Sequence, residues 1–138
     1  MTRIAVALVL LAGVGAPLAK QGGRPPEPAQ GPVARGEYLA NSVAMCVQCH
    51  TPRDERGDLI EGKHFTGAAM PVTAPYWHPE WALRAPALAG LPGFTDDQVI
   101  SLLTTGHMDG RPSLMKPMPP FRMSQEDARA LVAYLRTR

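Results

Sequence analysis

Cys46-Val47-Gln48-Cys49-His50 sets two thiols one helical turn apart, with an imidazole directly behind the second. On a helix that spacing brings both sulfurs to one face. Each can then add to a vinyl group of one haem while the imidazole reaches the iron. A C-x-x-C-H run of this kind is the attachment pattern of a c-type haem. The same cysteines could instead form a disulfide, a thioredoxin-like redox pair or half of a structural zinc site. A redox pair calls for a βαβ setting, and a zinc site for four Cys or His ligands at paired spacings. The chain holds two cysteines in all, with no second cluster, which favours haem. His50 is the proximal ligand by position.

The ligand on the opposite side should be soft if the task is electron transfer, because a thioether favours ferrous iron and raises the potential. Met118 lies in Lys116-Pro117-Met118-Pro119-Pro120-Phe121, where prolines restrict the backbone and hold one sulfur in place. It is the first choice, with Met115 next. Met108 sits beside a helix end without fixing prolines. Met123 directly precedes a helix cap, where packing against Ala128 as a hydrophobic staple is the expected role. His107 and His78 are the alternatives for bis-histidine ligation, which would lower the potential.

A covalent haem of this type implies export, and the first residues agree. Arg3 precedes the short apolar run Ile4 to Ala12, so 1–19 reads as a secretory signal peptide. Retention of that segment as a membrane anchor is the lesser reading, because the run is short for a span. Residues 20–30, with Gly22, Gly23, Pro25, Pro26 and Pro28, read as a flexible linker, which leaves 31–138 as one domain. The whole chain carries 14 Lys and Arg against 12 Asp and Glu, and two of those cations, Arg3 and Lys20, fall within the first twenty residues, which hold no acid. A near-neutral domain gives no argument for nucleic acid.

Three helices and two long loops must hold these residues. Pro32 suits the first turn of a helix. Val33, Gly36, Ala40 and Val43 then recur on one side, predicting a helix that runs into the C-x-x-C-H, with Gly36 at a close approach to another helix. The stretch from Gly62 to Gly93 shows no sustained period. It is expected to wrap a cofactor, because long irregular segments are uncommon in small domains without such a task. Thr95 and Gln98 form a capping box, Asp96 and Asp97 suit the positive helix end, Val99, Leu102 and Leu103 supply the apolar side, and Gly106 closes that helix. Ser124 caps the last helix, with Asp127 at the capping-box position and Ala128, Leu131, Val132 and Leu135 as its stripe. No sheet is expected.

Taken in this order, Gly36-Glu37-Tyr38-Leu39, Cys46 to Arg53, Ala85-Pro86-Ala87-Leu88, Met118 to Phe121 and Ala130 to Leu135 resemble class I c-type cytochromes. They also resemble the cytochrome c domains of bacterial periplasmic dehydrogenase complexes. The resemblance implies an all-α cytochrome c fold, with three main helices and long loops wrapped around one covalently bound haem c. It implies that the N- and C-terminal helices cross with Gly36 near Tyr134, and that the Pro86 carbonyl accepts the His50 Nδ1–H. Where the family often has Asn after that proline, this chain has Ala87.

The implied function is single-electron transfer between protein redox partners such as a dehydrogenase, an oxidase or another cytochrome. The protein would act as a soluble periplasmic carrier or as a non-catalytic haem subunit. Lys63, Arg111, Lys116 and Arg122 are candidates for docking an acidic partner, against the plainer reading of solvated surface charge. The rival from another class is a haem enzyme or gas-binding sensor with a displaceable ligand, for which no evident distal His or Arg motif exists. A redox-inert thiol protein is the second rival.

Overall fold

Two of the three expected helices form where their caps predict, and the first ends early. The computed structural model describes residues 31–108, 110 and 114–138; the expected signal at 1–19, the linker at 20–30 and Arg111 lie outside the described residues. Helix α1 spans Pro32–Tyr38 and continues as a π-helical turn over Leu39–Val43. In that turn the Ala44 N–H reaches the Leu39 carbonyl at 2.8 Å. Met45 then adopts φ 55°, and the C-x-x-C-H forms its own short helix, α2, Cys46–His50. The expectation of one helix running into the motif is corrected here. A left-handed residue interrupts the right-handed helical path between the two segments, and nothing in a methionine announces that conformation.

Helix α3, Asp96–Thr105, has the reciprocal capping box between Thr95 and Gln98, and ends on Gly106 in the left-handed region. Helix α4, Gln125–Arg136, is capped by the Ser124 hydroxyl, which accepts the Asp127 N–H at 3.1 Å. The Asp127 carboxylate does not return to the cap; it pairs with Arg35 at 2.9 Å and so ties α4 to α1. The absence of strands is also corrected, on a small scale. β1, Ala68–Ala69, and β2, Arg84–Ala85, pair antiparallel as Ala68 with Ala85 and Ala69 with Arg84.

The core lies where α1 and the π turn cross α4, with α3 against the other side of α4. Gly36 makes that crossing possible. A β-carbon there would overlap the Ala130 carbonyl and lie 2.7 Å from Tyr134 Cβ. Val33 and Val43, read from periodicity as apolar-face residues, are instead 41% and 53% exposed, while Gly36, Leu39 and Ala40 carry the contact. Phe65 is fully buried, edge-on to Tyr134 with ring centroids 5.9 Å apart. Its N–H donates to the Thr51 hydroxyl at 3.0 Å, and its carbonyl accepts from Leu88 and Ala89. One residue thus fastens the loop after α2, the loop before α3 and α4 to a common centre.

Candidate functional site

Between α2, α3, α4 and the long loops lies an apolar cleft of about 360 Å³. Cys46, Cys49 and His50 line it from α2, and Met118 joins them from the loop before α4. Leu88, Leu91, Val99, Leu102, Leu131 and Leu135 supply much of the remaining wall. The two sulfurs are not joined to each other.

His50 is 6% exposed, and its ring is held by the peptide backbone. Nδ1 lies 2.7 Å from the Pro86 carbonyl, an oxygen that can only accept, so Nδ1 carries the proton. Nε2 is then the unprotonated nitrogen, able to ligate a metal. Burial lowers the His50 pKa below the ordinary 6.5, partly offset by the bond to Pro86. A lowered pKa suits a neutral imidazole ligand, and the bond to Pro86 fixes its tautomer. Burial also pushes the Cys46 thiol up to about 11, with a backbone hydrogen bond opposing the rise and the Cys49 charge adding to it.

Gly67 is a site residue that no motif marks. Its N–H donates to the His50 carbonyl at 2.9 Å, its φ is +85°, and a β-carbon there would sit 2.9 Å from the Ala87 nitrogen. It lets the chain pass directly against the Pro86 segment that orients His50. One glycine among several in a loop carries no signal by type. Its place immediately before the Ala68–Ala69 pairing is the only clue.

The methionine candidates separate partly. Met108, Met115 and Met118 all line the cleft, as do Met45 and Met70. Met115 is 47% exposed, whereas Met118 is half-buried with its N–H on the Met115 carbonyl at 3.2 Å. Met123 packs against the core, and its N–H donates to the Leu103 carbonyl at 2.9 Å. Neither His78 nor His107 lines the cleft. Among the candidate docking cations, Lys116 has its Nζ 3.1 Å from His78 Nε2. The Arg122 guanidinium donates to the Phe121 carbonyl at 2.7 Å. Arg84, which belongs to no motif in the sequence, is an exposed residue that also lines the cleft.

This donor set fits a covalent haem c: two free thiols and an oriented imidazole border a cavity with an apolar wall, and a thioether is available on the same lining. Among the described residues no helix is long and apolar enough to cross a membrane.

Residues 31–135 match the family model described as cytochrome c oxidase, cbb3-type, subunit III. The chain is 28% identical over 118 residues to the cytochrome c subunit of alcohol dehydrogenase (quinone) from Gluconobacter oxydans, covering 76% of this chain and 23% of that protein. It is 30% identical over 93 residues to the subunit of the same name from Gluconacetobacter polyoxogenes, covering 61% and 19%. It is 27% identical over 132 residues to a nicotinate dehydrogenase subunit of Pseudomonas putida, covering 91% and 11%. The chain therefore spans less than a quarter of the length of each of these relatives.

Proposed function

Because this chain belongs to the cytochrome c oxidase, cbb3-type, subunit III family of c-type cytochrome domains, we propose that it is an exported monohaem cytochrome c that passes single electrons between protein partners. Cys46 and Cys49 would carry the haem as thioethers, with His50 and Met118 as the axial ligands. The relatives named as cytochrome c subunits of dehydrogenases support a role as electron carrier or haem subunit, not as the catalytic centre. A signal peptide at 1–19, a linker at 20–30 and a domain at 31–138 complete the reading, and the family match from residue 31 is consistent with that domain start.

The observation that carries the proposal is the 2.7 Å contact between His50 Nδ1 and the Pro86 carbonyl beside a cleft that Met118 also lines. The bound haem supplies a metal that changes oxidation state by one electron. The polypeptide's part would be to hold the iron through His50 and Met118 and to keep water away with the apolar lining. Pro86 fixes which His50 nitrogen faces the metal and raises that ligand's basicity. The leucine-lined wall holds the site in a low dielectric, which favours the less charged ferrous state. Arg84 is suited to pair with a haem carboxylate.

The test is expression in a host competent for cytochrome c maturation. The expected product has a pyridine haemochrome spectrum of a haem with both vinyl groups saturated, and titrates reversibly with one electron. Colourless protein with Cys46 and Cys49 oxidised to a disulfide overturns the proposal. Rapid carbon monoxide binding to the untreated ferrous protein would instead favour an open-site enzyme or gas sensor.

A further inference from the structure

We propose that the segment Glu80–Pro86 is a strap that positions both axial ligands together, with the Glu80 carbonyl and the Ala82 N–H as the groups that hold the Met118 loop. The proposal rests on the ligand assignment above. At one end of the strap, the Lys116 N–H donates to the Glu80 carbonyl at 2.9 Å, and the Ala82 N–H donates to the Lys116 carbonyl at 2.7 Å. Trp81 and Lys116 thereby form a parallel bridge. Lys116 is clamped through both its backbone groups, and it lies within the turn closed by the Met118 N–H on the Met115 carbonyl.

At the other end, Pro86 accepts from His50 Nδ1. Between the two ends, Arg84–Ala85 pairs with Ala68–Ala69. That strand leads back to Gly67, whose N–H is on the His50 carbonyl. A shift of the strap along its own axis would thus disturb the Lys116 clamp, the β pairing and the His50 orientation in one movement. The two sides of the site are thus held in register by one short length of backbone.

The experiment compares the haem-loaded protein with Ala82→Pro, which removes the donor to Lys116, and Ala82→Ser, which keeps it. One net hydrogen bond corresponds to up to about tenfold in an equilibrium. Ala82→Pro is expected to bind imidazole at the ferric iron up to about tenfold more tightly and to weaken the sulfur-to-iron absorption band. Its pyridine haemochrome should stay unchanged, and Ala82→Ser should match the parent. Imidazole affinity of Ala82→Pro equal to the parent overturns the strap.

Hydrogen exchange on the parent protein reads the same point where Ala82→Pro does not accumulate. The Ala82, Lys116 and Gly67 amides should be protected, and imidazole should lower the protection of all three. Free exchange at Ala82 and Lys116, or no response of Gly67 to imidazole, refutes the coupling. A parent protein without the sulfur band, but with Ala82 and Lys116 protected, refutes the Met118 assignment and not the clamp.

Discussion

Gly67 runs so close beneath Ala87 that a β-carbon added to it would lie 2.9 Å from the Ala87 nitrogen and 3.1 Å from the Ala85 carbonyl oxygen. These are backbone atoms, and they belong to the segment whose Pro86 carbonyl orients His50. Gly67→Ala must therefore displace that segment while also placing a side chain at φ +85°. Strain at such a conformation costs of order 1–3 kcal/mol before the overlap is counted. The expected outcome is a loss of about 2–4 kcal/mol of stability by urea unfolding of the haem-loaded protein. The visible spectrum should shift at the axial ligands. Gly57→Ala, also at positive φ but with open space around it, should cost less and leave the spectrum alone.

Gly36→Ala should be at least as damaging, for a different reason. Its backbone is ordinary helix, and the obstacle is the carbonyl of Ala130 and Tyr134 Cβ on α4. Overpacking a helix crossing costs about 1–3 kcal/mol and more where the obstacle is backbone. For a domain of this size that is a fall in Tm of roughly 4–8 °C per kcal/mol. Gly31→Ala, which meets nothing within 4 Å, is the control and should change Tm little.

What can be read in the sequence and what cannot divides along the reach of the interactions. The caps at Thr95, Gln98 and Ser124 are local hydrogen bonds between near neighbours, so the starts of α3 and α4 are legible. The C-x-x-C-H and the proline-flanked Met118 are local patterns too, and both face one cleft. The break at Met45 is hidden because the run of small residues continues to Ala44 and a left-handed methionine has no sequence mark. Phe65 and the Trp81–Lys116 bridge are invisible because their partners are distant in the chain. The stretch from Gly62 to Gly93 does border the site, through Met70, Arg84, Pro86, Leu88 and Leu91 on the cleft wall, with the Gly67 N–H on the His50 carbonyl. Its most conspicuous aromatic residue, Trp77, is 85% exposed.

Arg136 closes the C-terminal helix onto the loop ahead of α3. Its guanidinium meets Asp96 at 2.7 Å and donates to the carbonyls of Gly90 at 2.6 Å and Phe94 at 2.8 Å. The ion pair is partly exposed and screened by water, so Asp96→Asn should cost under about 1 kcal/mol. Arg136→Leu also removes the Arg136 donations to those carbonyls. It should cost about 1–3 kcal/mol, a difference that urea unfolding of the two variants will resolve. Equal effects from both would assign the stabilisation to charge alone.

Before haem attachment, the two shifted groups make stability depend on pH in opposite directions. Cys46 stays a thiol in the folded chain up to about 11, against an ordinary 9.0. Above pH 9 the unfolded chain releases that proton first, so stability is full below 9 and falls as pH rises towards 11. His50 has a folded pKa below 6.5. The unfolded chain binds its proton first, so stability is full above 6.5 and falls as pH drops below it. Urea midpoints of the haem-free chain should therefore be highest between these limits. The haem-loaded protein, with a thioether in place of the Cys46 thiol, should lack the alkaline fall.

Met115 and Met118 line the same cleft, three residues apart, and replacement of each separates ligand from wall. Met118 sits beyond the Lys116 clamp, with its N–H on the Met115 carbonyl. Met115 is 47% exposed. Met118→Ala should abolish the sulfur-to-ferric-iron band, lower the reduction potential and open the ferrous iron to carbon monoxide, because a thioether is what stabilises the reduced state. Met115→Ala should keep the band and change the potential little. Met118→His should remove the band but restrict carbon monoxide, since an imidazole can refill the position at a lower potential. If the band disappears in Met115→Ala and survives in Met118→Ala, the ligand is Met115. The Lys116 clamp would then restrain the ligand loop from its C-terminal side, not its N-terminal side.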